Sequence, residues 1–368
     1  MKQGFVAALI FFLAWPVSPA ARAATIADAK KEAEAKGYTF ITNRDEILAK
    51  AKKEGRVRVL SSLDPDSFKP MVESFKKKYP SIDIRIDDLT GTEAYQRFLL
   101  ELKAGTAKDF DTAEASSDFY NESATHALKF DILGMAEHGV LIINPKMVDP
   151  NYRNMVSVAT TACAIAYNKD RLPPEKVPQK WEDFLKPEFK GNKFVLDLRP
   201  FVVAGLVPAW GLERTLDFAR KLAAQQPVWG RTASRVNTAV AAGENSLYIG
   251  SNFSAVKNSM SKDPTGNLNY RMIEPVPTRI IDLSSGILNT ADHPHTALLF
   301  LEFLASPEGQ EILDKYQPLG ASVFTSGSVT EQVTRGKKLS VVDWDHFTKF
   351  QEYNEKIFAA YGLPKADK

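Results

Sequence analysis

Three arginines in the second half of the chain have the chemistry to bind an anion. Arg199 follows directly on a predicted strand, and Arg231 and Arg235 lie on either side of a turn that contains Thr232 and Ser234. A guanidinium group can hold a carboxylate or phosphate through two parallel charge-assisted hydrogen bonds, and a helix start adds positive potential. An ordinary salt bridge is the alternative for each arginine taken singly. The sequence therefore predicts an anion site that includes Arg199, Arg231, Thr232 and Ser234.

A second set of polar residues follows strands predicted at residues 57–62, 82–86 and 111–115. The carboxyl ends of parallel strands meet at one edge of a sheet, where α/β proteins bind ligands. Hydroxyl and N–H groups at helix starts there suit an anionic or polyol ligand, whereas helix capping is the simpler alternative. Further candidates are Thr161, on a predicted connection, and Ser251 and Asn252, at a predicted helix start. The candidates from the first half of the chain are Ser61, Ser62, Asp64, Thr92, Ser116 and Ser117.

Other chemistries lack support in the sequence. The five histidines do not have a zinc spacing, and neither G-x-S-x-G, a P-loop nor a dinucleotide glycine pattern occurs. The single cysteine, Cys163, lies in an apolar run and is interpreted as a packed core thiol. A formal net charge of +2 is too small to indicate a nucleic-acid or membrane partner. No catalytic residue, metal or cofactor is predicted.

The N-terminal 23 residues have the layout of a secretory signal peptide. Lys2 precedes an apolar run at residues 5–15, and Ala21-Arg22-Ala23 forms a small-x-small cleavage site. The run is too short to span a bilayer comfortably. We expect cleavage after Ala23 and a soluble monomer in the periplasm.

The remaining chain is long enough for two hydrophobic cores, because single cores stop growing at about 250–300 residues. Strands alternate with amphipathic helices, which predicts α/β lobes built on mostly parallel sheets flanked by helices. Two crossover strands, at residues 160–168 and 269–275, are predicted to join the lobes. A closing helix at residues 344–361 is predicted to bury Phe347, Phe350, Tyr353, Ile357 and Phe358 as core. The predicted boundaries are 24–56 for two N-terminal helices, 57–162 for the first part of lobe 1, 163–274 for lobe 2, and 275–368 for the return to lobe 1 and the C-terminal helices.

Three segments resemble bacterial extracellular solute-binding proteins of ABC importers, in the ferric-iron-binding-like branch. They are AKKEGRVRVLSS at residues 51–62, AYNKDRLPPEKVPQKWEDFLKPEFKG at 166–191, and FLEFLASPEGQEIL at 300–313. They occur in the expected order, and the resemblance covers most of the mature chain. The resemblance implies a two-lobed type II periplasmic binding fold, with a membrane permease and an ATPase as partners.

The resemblance also bears on the ligand. Ferric-binding members place a vicinal tyrosine pair after the strand that corresponds to residues 246–250, and use a histidine or carboxylate from the first lobe. Here Asn252 and Phe253 occupy the tyrosine positions, and residues 61–64 include no histidine. Ferric iron is therefore disfavoured, and a small organic anion such as a phosphonate, phosphate ester or carboxylate is the favoured ligand.

The predicted function is capture of this anion by hinge closure, followed by delivery to the permease. Three alternatives stay open from the sequence: a ferric iron-binding protein, a sensor that presents its closed form to a membrane receptor, and an exported enzyme on the same fold. The enzyme would need a nucleophile and base in the cleft, and the sequence contains no such pair.

Overall fold

The computed structural model describes residues 25–115, 119–281, 283–316 and 320–363. They form two β-sheets, each flanked by helices, as predicted for a two-lobed α/β fold. The first part of the chain contains α1 (Ile26–Ala35), α2 (Arg44–Glu54), β1 (Arg56–Ser61), α3 (Phe68–Lys78), β2 (Asp83–Asp88), α4 (Thr92–Lys103), β3 (Thr112–Ala115), α5 (Tyr120–Thr125), α6 (Ile132–Glu137) and β4 (Met155–Ser157).

Local signals in the sequence explain the two N-terminal helices. The Asn43 side chain accepts a hydrogen bond from the Asp45 backbone N–H and caps the start of α2. Gly55 ends the helix in the left-handed conformation, with φ of 68°. Thr25 caps α1 through a reciprocal capping box with Asp28. Both helices were predicted, with boundaries close to those observed.

The chain then enters the second sheet. Short 3-10 turns occur along both lobes, at Pro65–Ser67, Pro145–Met147, Pro174–Lys176, Trp181–Leu185 and Pro187–Phe189. The elements of the second lobe are β5 (Thr161–Asn168), β6 (Val195–Asp197), α7 (Phe201–Ala204), α8 (Val207–Trp210), α9 (Leu212–Ala224), β7 (Val228–Gly230), α10 (Ala233–Ala241), β8 (Leu247–Asn252), α11 (Phe253–Ser261), β9 (Leu268–Arg271) and β10 (Val276–Arg279).

The last part of the chain contributes to both lobes. Its elements are β11 (Ser284–Ile287), α12 (Pro294–Ala305), α13 (Pro307–Tyr316), α14 (Val329–Thr334), β12 (Leu339–Val342), α15 (Trp344–Phe347) and α16 (Phe350–Ala360). Helix α12 is apolar on all sides and buried along most of its length, so it forms the centre of the lobe 1 core.

In each sheet of the described chain one strand runs against the others, so both sheets are mostly parallel, as predicted. The first has the strand order β2-β1-β3-β11-β4, and β11 runs antiparallel to both of its neighbours. The second has the order β12-β10-β5-β8-β6-β7, with β9 also paired to β5. Strand β5 is antiparallel to β8, β9 and β10. The antiparallel pairs arise because β5 and β11 enter their sheets from the other lobe and run against the resident strands.

The second crossover lies later in the chain than predicted. Residues 269–275 were expected to cross, but β9 pairs with β5 inside the second sheet. The chain instead returns to the first sheet between β10 and β11. Strands β5 and β10 lie side by side, with Thr161 opposite Arg279. The two connections between the lobes are therefore adjacent.

Strand β12 and helix α16 belong to the second lobe rather than to the first, whereas Trp344 and Phe347 of α15 pack against Tyr120 of lobe 1. Strand β12 pairs in parallel with β10, and Tyr353 and Ile357 of α16 pack into the core of lobe 2. The predicted closing helix is broken between α15 and α16. Of its predicted core stripe, Tyr353 and Ile357 are buried, whereas Phe347, Phe350 and Phe358 are only half-buried.

Candidate functional site

A cleft of about 1190 Å³ opens beside the second sheet. It lies where β6, β7 and β8, which run in parallel, end at a common edge. The part of lobe 1 built on β1 to β4 and β11 contributes none of the described lining residues. The lining consists of residues 198–201, 231–234 and 277–279 together with Thr161, Cys163, Gly205, Asn252, Val342, Phe350, Gln351, Asn354, Glu355 and Phe358.

Arg199 projects from the end of β6 into this cleft. Its side chain is 61% exposed, and its Nη2 lies 3.2 Å from Oδ2 of Asp197, which is only 1% exposed. The backbone N–H of Arg199 donates to the same carboxylate at 2.8 Å. This hydrogen-bonded ion pair raises the pKa of the Arg199 guanidinium. The arginine is thus held at one end and available to a ligand at the other.

A buried tyrosine supports the Asp197 carboxylate. The Tyr248 hydroxyl donates to Oδ2 of Asp197 at 2.5 Å, and Tyr248 is fully buried. Burial raises the pKa of the Tyr248 phenol, and the hydrogen bond to Asp197 raises it further. The phenol therefore remains a hydrogen-bond donor at neutral pH, and Tyr248, Asp197 and Arg199 form one connected unit.

The second predicted arginine lies at the end of β7. Arg231 is exposed and lines the cleft, as do Thr232 and Ser234 at the start of α10. Thr232 has φ of 68°, a left-handed conformation that is rare for a β-branched residue and costs roughly 1–3 kcal/mol. Its side chain does not cap α10. Arg235, one turn further on, is exposed but does not line the cleft.

A third arginine, Arg279, was missed by sequence reasoning. It ends β10 opposite Thr161, which was predicted, and both residues line the cleft. Arg279 follows the crossover predicted at residues 269–275 and does not stand at a predicted helix start, so only strand pairing brings it to the site. Cys163 lies nearby and is buried. Burial raises the pKa of its thiol to about 12, against the opposing effect of Arg279. The thiol is a packed core group, as predicted.

Ser251 and Asn252, the two polar residues predicted to bind ligand at the end of β8, have different environments in the structure. Asn252 lines the cleft, and its Oδ1 accepts from the Ala255 N–H at 2.8 Å to cap α11. Ser251 points to the other face of the strand, where it is fully buried and accepts from Nδ2 of Asn237 at 3.1 Å. The prediction that Ser251 contacts ligand is therefore wrong in this arrangement, because adjacent residues of a strand face opposite sides.

In lobe 1, the predicted ligand-binding residues Ser61 and Ser62 form hydrogen bonds with the carboxylate of Glu114 instead. Oε2 of Glu114 accepts from the Ser61 hydroxyl and the Ser62 backbone N–H, each at 3.0 Å. The Ser62 hydroxyl donates to Oε1 of the same residue. Ser61 is buried, whereas Ser62 and Asp64 are exposed, and Asp64 caps a 3-10 turn by accepting from the Asp66 N–H. Ser61, Ser62 and Asp64 do not line the cleft in this structure, which corrects the expectation that these three residues share one site with the lobe 2 arginines.

The structure gives less information on the other predicted residues of lobe 1, Thr92, Ser116 and Ser117. Thr92 is the first residue of α4, preceded by Gly91 with φ of 97°, and its side chain is not described. Ser116 and Ser117 lie outside the described residues, as does the predicted signal peptide.

Aromatic side chains form much of the remaining wall. Phe201 of α7, and Phe350 and Phe358 of α16, line the cleft. Sequence reasoning assigned Phe350 and Phe358 to the core because they share the helical spacing of Tyr353 and Ile357. No sequence signal separates the two faces, since both are apolar.

The cleft lacks the donor set of a metal site. Among the described residues, no cluster of three His, Cys, Asp or Glu side chains could hold a metal ion. The described residues that line the cleft include no tyrosine or histidine. In the same described part of the chain, every helix is too short or too polar to cross a bilayer. The three lining arginines are accompanied by one carboxylate, Glu355, so the site has the electrostatics of an anion site.

Comparisons with known proteins identify the family and support the fold. Residues 138–349, more than half of the chain, match the family described as bacterial extracellular solute-binding protein. No match was found among curated protein sequences.

Solved structures show the same fold at low sequence identity. Trichodesmium IdiA (FutA), in complex with iron and citrate, has a TM-score of 0.64 at 18% identity, covering 83% of this chain and 99% of that one. An open Mannheimia haemolytica ferric iron-binding protein A gives 0.64 at 18%, covering 83% and 98%. A Bordetella ferric binding protein gives 0.63 at 13%, with the same coverage. All three share the two-lobed periplasmic binding protein fold predicted from the sequence. The chain is a member of the bacterial extracellular solute-binding protein family.

Proposed function

We propose that this protein is the periplasmic substrate-binding component of an ABC importer and that it captures a small organic anion. The observation that supports this proposal is the convergence of Arg199, Arg231 and Arg279 on one cleft. Phosphonates, phosphate esters and carboxylates all present oxygen pairs that match a guanidinium fork. The start of α10 adds backbone N–H groups and a favourable dipole at the same edge.

Charge balance favours an anion over a cation. Among the described lining residues, Glu355 is the single carboxylate. Asp197 lies behind Arg199 and is bonded to it and to Tyr248. A bound anion would compensate the excess positive charge. Delivery to a permease and its ATPase, and export after cleavage at Ala23, complete the proposed role.

Ferric iron is the second candidate, and the names of the structural neighbours favour it over an organic anion. One of those structures contains citrate beside the iron. An iron complex with carboxylate ligands would present anionic oxygens to the same arginines. It would do so without protein phenolates, since Asn252 and Phe253 stand at the expected tyrosine positions.

Thermal melts of iron-stripped protein test both candidates. A ligand in excess of its Kd raises stability by RT ln(1 + [L]/Kd). We expect melting temperature to rise with phosphonates, phosphate esters or carboxylates, and ferric citrate to give no visible phenolate-to-iron band. Iron that stays bound to the protein in stoichiometric amount after gel filtration, with no response of the melting temperature to any iron-free anion, would instead establish the iron-binding candidate.

A further inference from the structure

The apolar surface of helix α16 is wider than the part that packs into the lobe 2 core. Tyr353 and Ile357, four residues apart, are 9% and 0% exposed and belong to the lobe 2 core. Phe350, Asn354 and Phe358, spaced four residues apart, form an adjacent stripe that lines the cleft. Residues three or four apart share a helix face, so Phe350 borders the core stripe, and the cleft stripe turns away from the core towards Phe358.

Core packing does not account for the cleft stripe. Phe358 is half-buried and belongs to none of the five hydrophobic core clusters formed by the described residues. Phe350 and Phe201 touch the lobe 2 core with part of their surface and remain half-buried in the cleft. Three phenylalanine rings therefore present apolar surface to a cleft in which three arginines present positive charge.

The apolar and charged surfaces adjoin each other. The Arg199 guanidinium carbon lies 6.0 Å from the centroid of the Phe201 ring, close enough for a cation–π contact. A ligand bound to Arg199 would thus extend over Phe201. The cleft volume of about 1190 Å³ is at or above the roughly 300–1,000 Å³ typical of small-molecule sites. An inorganic anion or a single metal ion would leave most of it to water.

We propose that the ligand is an amphipathic organic anion: a carboxylate or phosphate head that binds the arginines, joined to an aromatic body that lies against Phe201, Phe350 and Phe358. This inference rests on the proposed capture of an anion and specifies its class. The competing occupant of the phenylalanine face is lobe 1, which could cover it when the lobes close. In that case the face would contribute equally to every ligand that closes the protein.

Pairs of probes that share a head group and differ in the body measure how much the body contributes to affinity. Calorimetry would compare phenyl phosphate with methyl phosphate, and benzoate with acetate. In the wild-type protein we expect the aromatic member of at least one pair to bind tighter by about tenfold or more, because it buries an additional ring against other rings. The pair that responds identifies the head as phosphate or carboxylate.

Substitutions at position 358 assign the preference to the cleft stripe. Phe358→Ala should reduce the aromatic-to-methyl affinity ratio to about threefold or less, and Phe358→Leu should retain an intermediate ratio. Ile357→Ala, its buried neighbour, is the folding control: it should lower the melting temperature far more than Phe358→Ala and leave the ratio unchanged in the fraction that folds.

Several outcomes would overturn the inference: a wild-type ratio near one, a ratio that Phe358→Ala does not change, equal weakening of both members of a pair, or no binding by either pair. The broader proposal is tested separately by Arg231→Ala. Loss of affinity for all bound probes in that variant would support anion capture even if the aromatic preference fails. Unchanged affinity would contradict anion capture by these arginines.

Discussion

Arg199 and Arg231 differ in how the protein holds them, and this difference separates binding from stability. Arg199 forms an ion pair with Asp197, whose carboxylate is almost fully buried. Arg231 is exposed, and no salt bridge or hydrogen bond of its side chain was found among the described residues. The first arginine is therefore part of the folded framework as well as the cleft, whereas the second belongs to the cleft alone.

We expect Arg231→Ala to weaken anion affinity by about 1.5–3 kcal/mol, the usual contribution of a hydrogen bond to a charged group, with little change in melting temperature. Arg231→Lys should recover part of the loss, because it keeps the charge without the bidentate geometry. Calorimetry beside thermal melts measures both effects. Arg199→Ala should lower affinity and melting temperature together, since it leaves Asp197 without its cation.

Arg235→Ala is the matched control for Arg231→Ala. Arg235 is exposed on the same helix start but does not line the cleft, so general loss of positive charge would affect both variants alike. Equal changes in affinity for the two variants would show that long-range charge, and not contact, determines binding.

Tyr361 provides a residue-scale test of stability. It is 5% exposed, and its hydroxyl has no hydrogen-bond partner among the described residues. Because a buried unsatisfied polar group costs about 1–3 kcal/mol, Tyr361→Phe should raise the free energy of unfolding by about 1 kcal/mol. Urea unfolding at pH 7 measures this change. A loss of stability would mean that the hydroxyl has a partner.

The same substitution has a pH signature. Burial raises the pKa of Tyr361 above the value of about 10 in the unfolded chain. The folded state then keeps a proton that the unfolded state releases, so this contribution is complete below pH 10 and is lost as the pH rises above it. Tyr361→Phe should reduce the steepness of alkaline destabilisation. An unchanged slope of stability between pH 9 and 11 would contradict this prediction.

Strand β8 links the core to the cleft through one glycine. Gly250 has φ of 155°, and a Cβ built there would lie 2.6 Å from the Tyr248 hydroxyl oxygen and would also contact Asp197. The close approach of this backbone allows the Tyr248–Asp197 hydrogen bond to sit directly beneath Arg199. A strand element thereby determines where a cleft arginine points.

Gly250→Ala should therefore displace the Tyr248–Asp197 pair, lower stability by roughly 1–3 kcal/mol and weaken anion binding. Chemical unfolding and calorimetry measure the two effects. Gly266→Ala is the control, because Gly266 also has a positive φ, of 65°, but nothing within 4 Å of an added Cβ. Its expected cost is that of the backbone conformation alone, with affinity unchanged. Anion affinity that survives Gly250→Ala would show that the pair does not position Arg199.

At the scale of the whole molecule, the adjacent strands β5 and β10 form a narrow connection between the lobes. Among the described residues, the cleft is lined by lobe 2, these crossovers and the C-terminal helix, and Ser61, Ser62 and Asp64 of lobe 1 lie outside it. A ligand that contacts only one lobe gains nothing from closure. Moving a 1:99 population to 99:1 takes about 5.5 kcal/mol of differential binding.

Small-angle X-ray scattering tests hinge closure directly. If Ser62 or the start of α4 meets the ligand after rotation, the radius of gyration should fall when a bound probe reaches saturation. Ser62→Ala should then weaken binding and reduce the fall in radius. An unchanged radius at saturation would show that the protein binds without closing, which contradicts the proposed hinge mechanism.

The sequence by itself determined the features that depend on neighbouring residues in the chain. The alternation of strands and helices predicted two α/β lobes, and strand ends predicted Arg199, Arg231 and Asn252 at a common edge. The helix at residues 44–54 was predictable because Asn43 and Gly55 have local capping roles. Cys163 was correctly placed in the core from its apolar surroundings. These features are local because a strand end or a helix cap is formed by residues close in sequence.

Only the tertiary structure decided which of the candidates meet. Arg279 reaches the cleft through pairing with β5, more than a hundred residues earlier in the chain. Ser61 and Ser62 donate hydrogen bonds to Glu114, which lies on the neighbouring strand of the same sheet. Phe350 and Phe358 cannot be distinguished from Tyr353 and Ile357 by spacing, because both faces of α16 are apolar. Their assignment depends on where α16 packs against lobe 2, and packing between distant segments is not encoded in any local pattern.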